Sequence, residues 1–143
     1  PTGQHISRAM EIALSRGCCQ REEIDCISAH GTATLHNDEV EARAIRTTFG
    51  SYASSLPVTS IKGTIGHLLG ACGIVELVAS ALILKNQEVP PTASFSVLGD
   101  GFGINVISGN ALKKRIKNIL NNNYSFGGKN TSVLISEVTN GNG

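Results

Sequence analysis

Two histidines, a lysine and a glutamate are the residues of this chain whose types and spacing can do chemistry. His30 stands in the loop Ser28-Ala29-His30-Gly31-Thr32-Ala33-Thr34, and His67 closes Ser60-Ile61-Lys62-Gly63-Thr64-Ile65-Gly66-His67. A glycine beside each lets the backbone come close to a ligand. A neutral imidazole can polarise a carbonyl without giving up its proton. His67 lies at the entry of a long apolar helix, whose positive end disfavours imidazolium, so its position predicts a neutral ring with a free N–H. Lys62 feeds the same helix, and Glu76 interrupts it. A buried carboxylate needs a partner, and Lys62 is in reach, as a structural ion pair or as part of a site.

Other chemistries fit the spacing less well. Gly63-x-x-Gly66-x-x-x-Gly70 before a helix offers backbone N–H groups to a phosphate, but it has no Gly-Lys-Ser/Thr ending, and Gly128-Lys129 is followed by Asn130. His5, His30, His36, His67 and Asp38 match no metal-ligand spacing, and no metal is expected.

The elements that must position these residues follow from period and punctuation. Thr2 to Gly17 reads as a helix with Ile6, Met10, Ile12, Ala13 and Leu14 largely on one side. A second helix runs from about Asn37 to Phe49, capped by Asn37 or Asp38 and ended by Gly50. Strands are predicted over 24–28, 56–60, 103–108, 117–122 and 131–138, the last two joined by a glycine hairpin loop, Tyr124 to Lys129. Leu68 to Leu84 is apolar apart from Glu76 and reads as a buried globular helix, with no membrane span. Strands alternating with helices give an α/β fold with helices covering a sheet. In such folds the loops beyond strand C-termini gather function, and a third one spans Asn123 to Asn130.

The chain has 143 residues, 41% of them hydrophobic and 16% charged, with a net charge of +1. That length predicts one domain, and that composition excludes disorder. Near-neutral charge with no Trp and two Tyr argues against a nucleic-acid partner. Cys18, Cys19, Cys26 and Cys72 form no CxxC pair, which fits reduced thiols in a cytoplasmic or organellar compartment. No basic-then-apolar leader opens the sequence.

The segments AHGTAT, DEVEA, KGTIGH, GACGIVE, VPPTASF and SFGGKN, in that order, resemble the β-ketoacyl-acyl-carrier-protein synthases, the condensing enzymes of fatty-acid and polyketide synthesis, above all the synthase II type. The likeness runs nearly end to end. It implies the C-terminal half of a thiolase-like fold, a mixed sheet covered by helices, with residues 1–143 forming that domain. The family's nucleophilic Cys belongs to the N-terminal half, and none of the four cysteines here has its context. The resemblance implies that His30 and His67 hold the malonyl thioester carbonyl during loss of CO2. Lys62 tunes them, with Glu76 as its ion partner. Thr32 and Thr34 face the pantetheine arm, and Phe126 gates the nucleophile on a loop freed by Gly127 and Gly128. It implies acyl carrier protein as partner, a homodimer, and no cofactor beyond the carrier's phosphopantetheine. It also implies that the 143 residues alone do not condense substrates.

The sequence departs from the family's usual pattern at Ser28, where Asn is common, at Tyr124-Ser125, where Phe-Gly is common, at Lys129, where Thr is usual, and at Cys72, where a small residue is usual. The rival readings are a non-catalytic partner of the chain-length-factor type, and a small anion-binding module.

Overall fold

The structure, a computed structural model, describes residues 2–95, 101–125 and 127–138. Helix α1 (Gln4–Arg16) buries Ile6, Met10 and Leu14, three positions four residues apart on one face. Helix α2 (Leu35–Phe49) buries Val40, Ala44, Ile45 and Phe49, and Gly50 ends it at φ 58. The predicted caps are not used. The helix starts at Leu35, and the Asn37 amide instead donates to Asp38 Oδ1 at 3.1 Å.

Strand β1 (Cys26–Ser28) is the centre of a five-stranded sheet. On one side lie β2 (Pro57–Thr59) and then β4 (Asn105–Val106); on the other lie β6 (Asn118–Ser125) and then β7 (Lys129–Ser136). All neighbours run parallel except β6 and β7, which form the expected hairpin, so the sheet is mixed. Alternation along each strand feeds two cores. Ile27 and Leu120 join α1 and α2, whereas Cys26 and Ile119 pack with Ile83, Val89 and Ile116 on the opposite face.

Three expectations are corrected. β6 continues past the predicted end at Asn122 to Ser125, so Asn123, Tyr124 and Ser125 belong to the strand and the third loop is shorter than predicted. A second antiparallel ribbon joins β3 (Glu88–Val89) to β5 (Leu112–Lys113); two-residue strands carry no period to read. The long helix is also not buried throughout. A short helix α3 (Lys62–Ile65) ends at Gly66, a 3₁₀ turn covers Leu69–Ala71, and only then does α4 (Cys72–Asn86) begin. The stripe of α4 toward the sheet is Cys72, Glu76, Ser80 and Ile83, while Ile74, Val78 and Leu82 are 60%, 54% and 51% exposed. Leu69–Asn86 is long and apolar enough to cross a membrane by length and composition. Its packing on β6, with Glu76 paired inward, is that of a helix in a layered globular fold.

Candidate active site

The C-terminal end of β1 is where the site is built. Ser28 lies opposite Thr59 on β2 and Asn121 on β6, and the Ala29 N–H donates to Thr59 O at 2.8 Å, so the chain leaves the sheet at a fixed place. His30 follows and is only 6% exposed. Its backbone N–H donates to Glu41 Oε1 at 2.8 Å, and the Gly31 N–H donates to Glu41 Oε2 at 2.9 Å. One buried carboxylate on α2 therefore clamps the turn that carries the imidazole. Gly31 sits at φ +44, and a Cβ there would lie 2.6 Å from Ser60 Cβ, so the β1 and β2 loops meet only because this residue is glycine.

Burial pushes the His30 pKa down to about 4, aided by the Lys62 charge and by the proximity of His67; Asn123 works the other way. The ring is uncharged at neutral pH. Its Nδ1 is buried without a partner at normal hydrogen-bond geometry. Tyr124 lies against it, ring centroids 5.2 Å apart and tilted 57°. The Tyr124 hydroxyl is also buried without a partner at normal geometry, and burial and the Glu41 charge raise its pKa well above the phenol value. Glu41 is itself raised by burial, which outweighs the two backbone hydrogen bonds.

His67 is exposed and is held locally. The Leu69 N–H donates to its Nδ1 at 3.0 Å, and Cys72 Sγ lies 3.4 Å from the same atom. A backbone amide can only donate, so Nδ1 accepts and the ring proton is on Nε2. The expected N–H donor is present, but its cause differs from the expectation: a 3₁₀ turn separates His67 from α4, and the Leu69 amide sets the tautomer. The two imidazoles stand edge to face with centroids 5.8 Å apart at 89°. Near them Lys62 and Glu76, 4% and 2% exposed at their side chains, form an ion pair, and Glu76 Oε2 has no partner at normal geometry.

The structure thus brings His30, His67, Lys62 and Glu76 together. Thr32 and Thr34 lie on the loop that leaves His30, their hydroxyls 3.1 Å apart. Gly127 and Gly128, at φ 84 and 78, turn the β6–β7 hairpin and are exposed. Phe126 lies outside the described residues. The sequence reading missed Glu41, Asn121, Asn123 and Tyr124 as members of the site. The available signal for Glu41 was an acid at helical spacing with the inward-facing Ala44 and Ile45.

The family model for the β-ketoacyl synthase C-terminal domain matches residues 1–96. The chain is 35% identical over 138 residues to 3-oxoacyl-[acyl-carrier-protein] synthase 2 of Coxiella burnetii, covering 96% of this chain and 33% of that protein. Among solved structures, a β-ketoacyl synthase from Burkholderia phymatum superposes with a TM-score of 0.90 at 32% identity, over 97% of this chain and 34% of that one. A ketosynthase from a type II polyketide synthase, described in complex with its acyl-carrier protein and bound to the hexaketide, gives 0.92 at 28% identity, over 96% of this chain and 34% of that one. The fold is therefore that of the thiolase-like ketosynthases. This chain spans about a third of the length of the relatives it matches.

Proposed function

The chain belongs to the β-ketoacyl synthase family, and from that premise we propose that it forms the decarboxylating wall of a condensing enzyme. The reaction joins an acyl thioester to a malonyl unit carried on acyl carrier protein. The malonyl C–CO2 bond breaks, and its electron pair passes into the thioester as an enolate. The enolate carbon then attacks the acyl thioester carbon and expels the thiolate. The observation that carries this reading is the facing imidazole pair, 5.8 Å apart, beside a buried Lys62–Glu76 pair.

In this reading His67 donates its Nε2–H to the malonyl thioester oxygen, and His30 supplies the second imidazole. Hydrogen bonds that strengthen as charge develops on oxygen lower the barrier. Keeping His30 uncharged suits a group that holds a carbonyl without donating its proton outright. The Lys62 ammonium adds positive potential beside both rings, and Glu76 holds it in place. Thr32 and Thr34 take the pantetheine arm, and Phe126, with Gly127 and Gly128, gates the acyl group.

None of the cysteines here suits the acyl-bearing role. Burial pushes the Cys26 thiol up to about 12, burial raises Cys19, Cys72 is buried against His67, and Cys18 follows the end of α1. We place that thiol in a part of the protein outside these 143 residues. The apolar outer face of α4 supports the same division of labour, because Ile74, Val78 and Leu82 need a cover that the remaining length of a full synthase can supply. A cytoplasmic or organellar homodimer served by acyl carrier protein completes the proposal. The rival reading, a partner without chemistry, has no use for two facing imidazoles beside a buried ion pair.

The test is CO2 release and condensation by the intact protein with acyl and malonyl carrier substrates. Both are expected, whereas the 143-residue chain, freed of host synthase, condenses nothing. An intact protein that releases no CO2 overturns the reading. Turnover by the 143-residue chain overturns the placement of the thiol.

A further inference from the structure

The ring of His30 is oriented by more than its own loop. β6 carries Asn121 and Asn123 two residues apart, hence on one face, and this is the face turned to α4. From α4 inward the polar groups connect in order. The Ser80 hydroxyl donates to Glu76 O at 2.8 Å. Asn121 Nδ2 donates to Ser80 Oγ at 3.2 Å and to Ser28 Oγ at 3.4 Å. Asn123 Nδ2 donates to Asn121 Oδ1 at 3.0 Å. Ser28, Ser80 and Asn121 are all buried. A buried polar chain of this kind holds its members rigidly when each is satisfied.

The parallel register that sets Ser28 beside Asn121 carries His30 and Asn123, each two residues further on, to neighbouring places at the end of the sheet. With its amide nitrogen engaged on Asn121, Asn123 has its side-chain oxygen left for the His30 ring. We propose that Asn123 is a positioning residue for His30, held by a buried amide-and-hydroxyl chain through Asn121 and Ser80 to the turn of α4 that carries Glu76. The chain thereby couples the orientation of His30 to the helix that anchors Lys62. What His30 does here rests on the condensing-enzyme reading; what orients it does not.

The test compares the pH profile of CO2 release by the intact protein with that of Asn123→Asp and Asn123→Ala. His30 is faced by Lys62 from α3 and by His67 from the following loop, both of which disfavour its charged form, by Tyr124 from β6, and by Glu41 from α2 through its backbone. A carboxylate at position 123 favours imidazolium, so the acid limb of Asn123→Asp is expected to move up by about one to three pH units. Asn123→Ala is expected to lose roughly tenfold in kcat with KM little changed. An acid limb in Asn123→Asp that superimposes on the unmodified protein overturns the proposal. Should that variant fail to fold, an unaltered kcat in Asn123→Ala overturns it instead. His30→Ala is measured in parallel. If it still releases CO2, the functional reading has failed; if it is dead while the Asn123 variants behave normally, only the positioning role falls.

Discussion

His30 and His67 face each other across less than 6 Å of space, yet they are held in opposite ways. The atoms that fix the His67 ring come from two and five residues downstream, Leu69 and Cys72. The groups around His30 come from Glu41 on α2 and from Asn123 and Tyr124 on β6. His67 is exposed and His30 is buried. A ring held by its own loop keeps its tautomer while the loop persists. A ring held by two distant elements keeps its orientation only while the layers stay assembled. The site therefore joins one locally specified group to one globally specified group, and perturbing the sheet should affect them unequally.

The largest expected effect is catalytic. In the intact protein, His30→Ala and His67→Ala each reduce malonyl decarboxylation by about two to three orders of magnitude, followed as CO2 release. Near-normal release from either variant removes that ring from the mechanism. Next in size are effects on folding, which should separate the two histidines. Lys62→Met leaves Glu76 unpaired in the interior and costs about 3–5 kcal/mol of stability, read by denaturant titration. Glu41→Ala strands the N–H groups of His30 and Gly31, at about 1–3 kcal/mol each. Cys72→Ala removes the thiol beside His67 Nδ1 at the loss of one heavy atom, so it should change CO2 release more than stability. If Glu41→Ala and Cys72→Ala change stability and turnover in the same proportion, the contrast between the two histidines is wrong.

A smaller effect concerns acid. His30 titrates near 4 in the folded protein against 6.5 for an ordinary histidine. Between those values the unfolded chain binds a proton that the folded chain refuses. This residue's contribution is therefore intact above pH 6.5 and is lost as pH falls from 6.5 through 4. Thermal melts of the unmodified protein should lose more midpoint across that window than those of His30→Asn, and parallel curves would remove His30 as the cause. The smallest effect is at the rim. Replacing Thr32 and Thr34 by Val should raise KM for the carrier-bound substrate by roughly fivefold per lost hydrogen bond, with kcat little altered.

What the sequence by itself determined were the groups whose signals are local. A glycine beside each histidine, one acid in an apolar run and a lysine at its entry marked His30, His67, Lys62 and Glu76 as candidates, and the resemblance to the condensing enzymes drew them into one site. The inner face of α1 followed from helical spacing apart from Ile12, which is exposed, and the β6–β7 hairpin followed from its glycines. Only the tertiary structure decided which stripe of α4 turns inward. A helix apolar on every side has no amphipathic direction, and the ion pair of Glu76 settles the matter. It also decided the roles of Glu41, Asn121 and Asn123. Three consecutive asparagines carry no period, so their faces are set by the register of β6 against β1, which places Asn121 opposite Ser28. Glu41 stands among the polar residues of a helix start, and its carboxylate becomes a clamp only when α2 packs across the end of β1. Residue type and near-neighbour spacing encode the chemistry that a short segment can carry. Burial and partnership arise between segments far apart in the chain, and these exist only once the layers have packed.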